Sequence, residues 1–331
     1  MSSVDVIVPC YGYGQFLREC VNSVLSQILD NTRVLIIDDA SPDSTPEIGR
    51  DLEKIDSRVT FLRHPVNKGH IYTYNEGIEW TAAEYTLLLS ADDYLFPGAL
   101  ERASRLLDQH PEVTFTFGNL IQLGDDGINT IPVRPLGVLS QRTEYRALTA
   151  PEFIRLSGAT NIVGASTAVV RTSVQKKVGG YRPELTHTGD MEMWLRLAAQ
   201  GSVGFVNAYQ AVYRRHCGNM SNSYSHLADL EQRKLALDYF FREVGTQLQH
   251  ATRTRRRIYR LLASDAVGFA SSAFNENDNE ALEQLRDFAL GTSWEVVMTW
   301  PWIKFQCKRA VGLQVWNILQ SALGKSRQGG L

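Results

Sequence analysis

Short apolar runs alternate with amphipathic segments through the first part of the chain. The runs are rich in β-branched and aromatic residues, a composition that favours strands, and they lie at residues 4–8, 34–37, 59–62, 85–89 and 113–117. Apolar residues at helical spacing between these runs predict helices at residues 15–26, 45–55, 72–80 and 97–107. The alternation predicts an α/β fold in which helices cover both faces of a mostly parallel sheet.

The pattern is less regular after the fifth run. Residues 124–135 are rich in Gly, Pro and Asp, which predicts a hairpin or a long loop. Residues 164–171 predict another strand because they are small, β-branched and apolar. A further helix is predicted at residues 190–199, with Trp194 and Leu197 on the side that faces the core.

The last third of the chain is helical in pattern, and no strand is predicted beyond about Tyr224. We therefore expect an α/β domain over residues 1–222 and a helical region over residues 223–331. This region contains a basic run and a group of tryptophans: Arg253, Arg255, Arg256, Arg257, Arg260, Trp294, Trp300, Trp302 and Trp316. One interpretation is a subdomain that packs on itself or on a second subunit, which would form a homo-oligomer. The other is peripheral docking to an anionic membrane surface.

Composition excludes several classes of protein. The chain has 331 residues and a formal net charge of −2, which argues against a dedicated nucleic-acid binder. Its four cysteines are scattered and form no C-x-x-C pair, so neither a zinc site nor a disulfide framework is predicted. We find no secretory signal and no apolar stretch of transmembrane length, so the expected location is the cytoplasm. With membrane docking, it would be the inner membrane face.

Two adjacent acids, Asp92 and Asp93, directly follow the apolar run at residues 85–89. If that run is a parallel strand, the acids emerge at its carboxyl end, where ligands of open α/β sheets bind. Two neighbouring carboxylates repel each other unless a cation or hydrogen-bond donors neutralise them. The pair predicts a divalent metal site that holds a diphosphate. The alternative is a solvated loop or a helix N-cap, because Pro97 opens the next predicted helix.

A dinucleotide site is the competing interpretation of the first βα turn. Gly12-Tyr13-Gly14 follows the first strand, and Asp38 and Asp39 end the second, as in an NAD-dependent oxidoreductase. However, Leu17 occupies the position of the third glycine. Pro9 also restricts the backbone where a phosphate loop should form.

An ordered set of short motifs carries a more specific signal. The motifs are Val4-Asp5-Val6-Ile7-Val8-Pro9-Cys10-Tyr11, Val34-Leu35-Ile36-Ile37-Asp38-Asp39-Ala40-Ser41, Asn67-Lys68-Gly69, Tyr74-Asn75-Glu76-Gly77, Ser90-Ala91-Asp92-Asp93, Gly179-Gly180-Tyr181, Gly189-Asp190-Met191-Glu192-Met193-Trp194-Leu195-Arg196-Leu197 and Tyr213-Arg214-Arg215-His216. In this order they resemble glycosyltransferase family 2, which has the Rossmann-like GT-A fold. The resemblance covers roughly residues 4–222, and the C-terminal third lacks these motifs.

The resemblance implies roles on the nucleotide side of a cleft. Pro9 and Tyr11 would flank the nucleotide base, with Tyr11 as a stacking surface. Asp39 would accept hydrogen bonds from the base or the ribose. Asn67 and Lys68 would line the same side of the cleft. By family habit the nucleotide would be a UDP-sugar.

The resemblance also implies roles at the reacting end. Asp92 would lie near the ribose, and Asp93 would bind a divalent metal, Mn²⁺ or Mg²⁺, which His216 would also approach. Asp190 would be the general base, and residues 164–167 would border the acceptor. Three positions depart from the family pattern: Gly12 stands where Asn is frequent, Ala91 where a further Asp is frequent, and Gly189 where Glu is frequent. None removes a group that the chemistry requires, and the first two bear on the nucleotide and metal affinity.

Simpler interpretations of these residues stay open at this stage. Asp190 begins a predicted helix and could merely complement the helix dipole. Glu192 is a rival base, but its i,i+4 spacing to Arg196 indicates a structural ion pair, worth about 0.3–0.5 kcal/mol if exposed. His216 could belong to a surface basic cluster with its neighbours Arg214 and Arg215.

We therefore predict an inverting, metal-dependent glycosyltransferase that moves a hexosyl or N-acetylhexosaminyl group from a nucleotide-diphosphate donor to a hydroxyl. The acceptor would be a glycan, a lipid-linked molecule or another alcohol. The alternatives are the NAD-dependent oxidoreductase and a non-catalytic carbohydrate-binding protein on the same scaffold, since fold does not fix function.

Overall fold

The computed structural model describes residues 2–29, 31–124, 126–140, 144–245 and 248–322. The strands are β1 (Val4–Cys10), β2 (Thr32–Asp38), β3 (Val59–Arg63), β4 (Tyr85–Leu88), β5 (Tyr94–Leu95), β6 (Val113–Leu123), β7 (Thr130–Val133), β8 (Tyr145–Leu148), β9 (Val169–Arg171) and β10 (Ser202–Arg214). The helices are α1 (Gly14–Leu25), α2 (Thr45–Ile55), α3 (His70–Trp80), α4 (Ala99–Gln109), α5 (Ala150–Ser157), α6 (Thr172–Val178), α7 (Gly189–Ala198), α8 (His226–Glu243), α9 (Ala251–Glu276), α10 (Asn279–Thr292), α11 (Trp300–Val311) and α12 (Leu313–Ala322).

The described strands form one sheet in the order β3-β2-β1-β4-β9-β6-β10-β5. Strands β3, β2, β1 and β4 are mutually parallel, as predicted. Strand β9 is antiparallel between β4 and β6, and β10 returns parallel to β6. Strands β5 and β8 pair with β10, and β7 pairs with β6, all antiparallel. The predicted α/β class, with helices around a central sheet, is confirmed.

Alternating side chains of β1 belong to two separate cores. Ile7 packs in one hydrophobic cluster, whereas Val6 and Val8 pack in the other, because successive residues of a strand point to opposite faces. Helix α3 lies on the Ile7 side, and α1 contributes Leu17 to the opposite side. Burial on both faces explains why the strands read as continuous apolar runs.

The predicted strand at residues 164–171 is only partly formed. Residues 165–167 make a 3₁₀ turn, and the strand is limited to Val169–Arg171. The Thr167 hydroxyl donates to the Gly164 carbonyl oxygen at 2.8 Å and stabilises the turn. A Cβ at Gly164 would lie 2.3 Å from Leu120, so only glycine allows this close approach to β6. The hairpin expected at residues 124–135 is present as the β6–β7 pair, with residue 125 outside the description.

Helices α8 to α11 extend the core on the α7 side of the sheet. One cluster combines Trp194 of α7 with Phe240 of α8 and Leu262 of α9. The Thr188 hydroxyl, just before α7, donates to the Gln232 carbonyl oxygen on α8 at 2.9 Å. The boundary at residues 222/223 stays a prediction, and residues 323–331 lie outside the described part. None of the described helices combines the length and apolarity needed to cross a membrane.

Candidate active site

The carboxyl ends of β1, β2 and β4 form one edge of the sheet. Cys10 at the end of β1 pairs with Asp38 at the end of β2. The residue after Asp38, Asp39, donates its N–H to the Cys10 carbonyl oxygen at 2.9 Å. The buried Asp38 carboxylate accepts from the Ser41 N–H at 2.8 Å and from Arg63 at 2.7 Å. Asp38 therefore holds the loop that follows β2.

Asp39 is held by the loop that precedes α3. Its two carboxylate oxygens accept from the N–H groups of Lys68 and Gly69, each at 2.8 Å. The buried His64 ring lies between two acids, with Nδ1 2.7 Å from Asp39 and Nε2 2.5 Å from Glu76. Asp39 is 3% exposed, so most of its hydrogen-bonding capacity serves this loop. Its predicted contact with a base or ribose stays a prediction.

The predicted nucleotide-side residues form an open rim. Tyr11, two residues after the half-buried Pro9, has half of its surface exposed. Lys68 is exposed, and its Nζ lies 4.3 Å above the Tyr72 ring. The Asn67 side chain accepts from the backbone N–H two residues later, which stabilises the turn. The rim therefore presents aromatic, cationic and amide groups to a ligand.

Both glycine N–H groups of the first βα turn donate to side chains of the protein. The Gly12 N–H donates to the Ser41 hydroxyl at 3.0 Å, and the Gly14 N–H donates to the Asp43 carboxylate at 2.9 Å. A dinucleotide loop needs such N–H groups for the phosphates. The contacts therefore argue against the NAD-dependent alternative.

Asp92 and Asp93 lie buried just beyond β4. The Oδ2 atom of Asp92 accepts from Asn219 at 3.3 Å and lies 3.1 Å from Nε2 of His216, while its Oδ1 atom is buried and has no hydrogen-bond partner among the described residues. The Asp93 carboxylate accepts from the Arg214 N–H at 3.1 Å and from the Ser166 hydroxyl. Burial and the charge of Asp92 raise the pKa of Asp93 well above its usual range.

This acid pair fits part of a divalent metal site. The partnerless Oδ1 atom of Asp92 and the repulsion between the carboxylates are features that a cation would relieve. His216 contacts Asp92, whereas the sequence-based prediction paired it with the metal on Asp93. Within the described ranges, no group of three or more His, Cys, Asp or Glu side chains is close enough to hold a metal. The protein would therefore supply only some of the ligands.

The last residue of β10 and the segment after it contact the acid pair, which the sequence did not reveal. Arg214 donates through Nε to the Asp92 carbonyl oxygen at 2.8 Å and forms an ion pair with Glu19. Its guanidinium also lies 4.9 Å from the rings of Phe16 and Tyr94. Because its side chain is only 16% exposed, Arg214 does not belong to a solvated basic cluster. Only the adjacent basic residues hinted at this role, and no local pattern marked Asn219.

Asp190 lies in the first turn of α7. The Tyr181 hydroxyl donates to the Asp190 carboxylate, and within the described part of the chain the buried Oδ1 atom of Asp190 has no hydrogen-bond partner. Burial raises the pKa of Asp190, and the bond from Tyr181 opposes that rise. Trp194, four residues later, is buried in the core as predicted.

Glu192 has a structural role. It is fully buried and accepts from Arg182 at 3.0 Å and from Arg196 at 2.8 Å. Arg196 also donates to the carbonyl oxygens of Val178 and Gly180. The Glu192–Arg196 ion pair is therefore part of a buried network, whereas the sequence alone suggested a weak, exposed pair. Because Glu192 is neutralised on both sides, it is not available to an acceptor.

Tyr74 lies near both Asp190 and the acid pair. Burial raises the pKa of this phenol, and the nearby charges of Asp190, Asp92 and Asp93 raise it further. Its ring also packs edge-on against Tyr181, with centroids 5.4 Å apart. The fold thus brings Asp190 near the acid pair, from which it is about a hundred residues away in sequence.

Comparison with known proteins identifies the family of this chain. Residues 5–174 match the family described as Glycosyl transferase family 2. TuaG of Bacillus subtilis (strain 168), whose name assigns it provisionally to teichuronic acid biosynthesis as a glycosyltransferase, is 26% identical over 214 residues. That alignment covers 64% of this chain and 78% of TuaG.

Two solved structures share the fold. S. aureus TarS 1-349 in complex with UDP-GlcNAc aligns with a TM-score of 0.65 and 19% identity, over 89% of this chain and 81% of that one. Mannosyltransferase PcManGT from Pyrobaculum calidifontis, in complex with GDP-Man and Mn²⁺, aligns with a TM-score of 0.53 and 17% identity, over 97% and 84%. This chain belongs to glycosyltransferase family 2 and is a glycosyltransferase with the GT-A fold.

Proposed function

We propose that this enzyme is an inverting glycosyltransferase with a nucleotide-diphosphate donor, a UDP-sugar first of all, and a hydroxyl acceptor on a glycan, a lipid-linked molecule or another alcohol. The structurally similar proteins TarS and PcManGT, bound to UDP-GlcNAc and GDP-Man respectively, support a donor of this class. The observation that carries the proposal is that Asp190 and the Asp92–Asp93 pair both lie near Tyr74, and that Asp190 and Asp92 each have a buried carboxylate oxygen without a hydrogen-bond partner among the described residues. Sugar transfer requires a base for the acceptor and a separate group that holds the leaving diphosphate. Asp190 would be the base, and the Asp92–Asp93 pair would hold the diphosphate.

Asp190 would act as the general base. In a single displacement, the acceptor oxygen attacks the anomeric carbon from the face opposite the diphosphate, and a carboxylate takes the hydroxyl proton. The partnerless Oδ1 atom of Asp190 can accept that proton, while the Tyr181 hydroxyl holds the carboxylate in place. Its raised pKa makes Asp190 a stronger base than an exposed aspartate.

The acid pair would hold the donor diphosphate through a divalent cation, Mn²⁺ or Mg²⁺. When bound, such a cation would neutralise the charge that develops on the leaving diphosphate. Asp93 and the partnerless oxygen of Asp92 would bind it, and His216 and Asn219 orient Asp92 through hydrogen bonds. Because the described protein ligands are few, we expect the donor's own phosphate oxygens to complete the coordination.

The rim would receive the nucleoside. Tyr11 and Pro9 would flank the base, and Asn67 and Lys68 would line the same, nucleotide side of the cleft. Besides its predicted contact with the base or ribose, Asp39 would position this rim, because its carboxylate accepts a hydrogen bond from the Lys68 N–H. Residues 164–167 would border the acceptor, and Ser166 also orients Asp93.

The test begins with a thermal-shift panel of UDP-, dTDP- and GDP-sugars, with and without Mn²⁺, to find the donor. Nucleotide release is then measured for Asp190→Asn and Asp93→Ala, with Asp51→Asn as the control because that acid is exposed on α2. We expect Asp190→Asn to lose about 10²–10⁴-fold in kcat with nucleotide binding nearly unchanged. Asp93→Ala should weaken the metal-dependent binding of the nucleotide. Full activity in either variant would refute the role assigned to that residue.

A further inference from the structure

A segment of the C-terminal region exposes several large apolar side chains. In residues 294–303, hereafter the aromatic segment, the exposed members are Trp294, Val297, Met298, Trp300 and Ile303. Trp300 is 72% exposed and Trp294 is 66% exposed. Single exposed apolar residues are common on protein surfaces, but a concentration of this kind marks an interaction site.

A row of arginines occupies the first turns of α9. Its members, hereafter the arginine row, are all exposed: Arg253, Arg255, Arg256, Arg257 and Arg260. Residues 251–260 include no acid, whereas the whole chain has a formal net charge of −2. The row is therefore a local concentration of positive charge.

The arginine row and the aromatic segment lie side by side. Arg256 forms an ion pair with the nearly buried Glu295 of the aromatic segment. Farther along, Lys308 of α11 donates to the Ser271 carbonyl oxygen on α9 at 2.8 Å, so the two helices stay adjacent. Glu295 is the only acid between residues 294 and 318, and Arg256 neutralises it. The combined surface is apolar and cationic, without an unpaired acid in the two segments.

We propose that this surface docks on an anionic lipid bilayer. Arginines near such a bilayer are attracted by its negative surface potential, and aromatic side chains favour the boundary between headgroups and acyl chains. The contact would be peripheral, in keeping with the lack of a membrane-crossing helix in the described residues. A symmetric dimer through the same surface would bring two arginine rows together, and like charges would oppose it.

Flotation with vesicles tests the proposal without any assay of transfer. Phosphatidylcholine vesicles with and without phosphatidylglycerol are compared at low and high salt. We expect binding to the anionic vesicles at low salt, weaker binding at high salt, and little binding to phosphatidylcholine alone. The triple variant Arg253→Gln/Arg257→Gln/Arg260→Gln should bind about 100-fold more weakly, because each arginine near an anionic surface contributes about 1 kcal/mol to binding.

Two matched controls separate this surface from general stickiness. The variant Arg50→Gln/Lys54→Gln removes exposed charges from α2 and should float like the parent. Trp294→Ala/Trp300→Ala should weaken binding severalfold, whereas Ile55→Ala/Ile128→Ala removes apolar groups of similar exposure elsewhere and should not. Unchanged melting temperatures show that the variants fold, and if the tryptophan pair does not fold, the arginine variant decides.

Three results would overturn the proposal. The first is a failure to float with anionic vesicles at low salt. The second is binding that is equal on neutral vesicles and insensitive to salt or to the arginine variant. The third is a dimer, detected by light scattering, that Trp300→Ala dissociates, because the surface would then be an interface between copies of the chain. Since none of these measurements uses the donor, failure here leaves the proposed function untouched.

Discussion

Asn75 holds the backbone of Tyr181 through two hydrogen bonds. Its side-chain nitrogen donates to the Tyr181 carbonyl oxygen at 2.9 Å, and its Oδ1 atom accepts from the Tyr181 N–H at 2.6 Å. A Cβ at Gly180 would lie 2.3 Å from that Oδ1 atom, so this clamp requires glycine. Because Tyr181 in turn donates to Asp190, helix α3 positions the proposed base through one intermediate residue.

The next residue of α3 serves the other side of the cleft. Glu76 lies 2.5 Å from Nε2 of His64, whose Nδ1 is 2.7 Å from Asp39. Asp39 then holds the backbone N–H groups of Lys68 and Gly69. Two consecutive residues of α3 thus connect the proposed base with the proposed nucleotide rim, which leads to the predictions below.

We expect Tyr181→Phe to move the acid limb of the pH–rate profile to higher pH. The hydrogen bond from Tyr181 lowers the pKa of Asp190, so its loss raises that pKa further, and the base is protonated over a wider range. On the acid side kcat should fall about tenfold, consistent with the loss of a hydrogen bond to a charged group. At pH well above the limb the difference should shrink.

The matched control for this variant is Tyr74→Phe. Tyr74 lies in the same cleft, but its hydroxyl makes no hydrogen bond to Asp190 among the described contacts, so its loss should leave the acid limb close to that of the parent. A limb that stays in place or moves to lower pH in Tyr181→Phe would contradict the positioning role. The profile is measured as kcat against pH at saturating donor.

Asn75→Ala should weaken both stability and turnover. It leaves the N–H and carbonyl groups of Tyr181 without their partner, which should lower the free energy of unfolding by about 2–3 kcal/mol. We also expect a lower kcat with little change in nucleotide affinity, because the clamp lies on the base side. Guanidinium unfolding and steady-state kinetics measure the two effects. Asn67→Ala is the control on the rim, and a larger loss of affinity in Asn75→Ala than in this control would argue against the assignment.

His64→Asn should act mainly on the donor. Without the imidazole, Asp39 and Glu76 lose their bridge, and the backbone that Asp39 holds becomes less fixed. The donor KM should rise about tenfold, equivalent to about 1.4 kcal/mol, while kcat changes little. Glu76→Gln keeps a group that can bond to His64 and should show a smaller rise. A change in kcat with an unchanged donor KM would mean that His64 does not support donor binding.

Two glycine substitutions should change stability in opposite directions. At Gly77 on α3, a Cβ would lie 2.3 Å from a methyl group of Ile7 on β1, so Gly77→Ala should cost about 1–3 kcal/mol through overpacking. At Gly268 within α9, nothing lies within 4 Å of the added atom, so Gly268→Ala should stabilise by up to about 1 kcal/mol. Thermal unfolding measures both, and stabilisation by Gly77→Ala would mean that α3 is not packed this closely on the sheet.

The sequence by itself determined the framework and much of the candidate site. The apolar runs around Ile7 and before Asp92 are local patterns, and strands buried on both faces produce such patterns directly. The end of each run fixed where the acids emerge, because the carboxyl ends of parallel strands share one edge. The ordered motifs then predicted Asp190 as the base and indicated the family. The family comparison confirmed the family.

Only the tertiary structure decided the partners of those residues. Arg214 and Asn219 reach the acid pair across more than 120 positions of sequence, and Tyr181 meets Asn75 across 106. The structure also shows that Glu192 is buried and bonded to both Arg182 and Arg196, whereas the sequence suggested only a weak surface pair. Such contacts depend on how strands and helices pack, and a periodic pattern specifies only the face of its own element. The chain therefore encodes locally where its chemistry emerges, while long-range packing determines which side chains meet there.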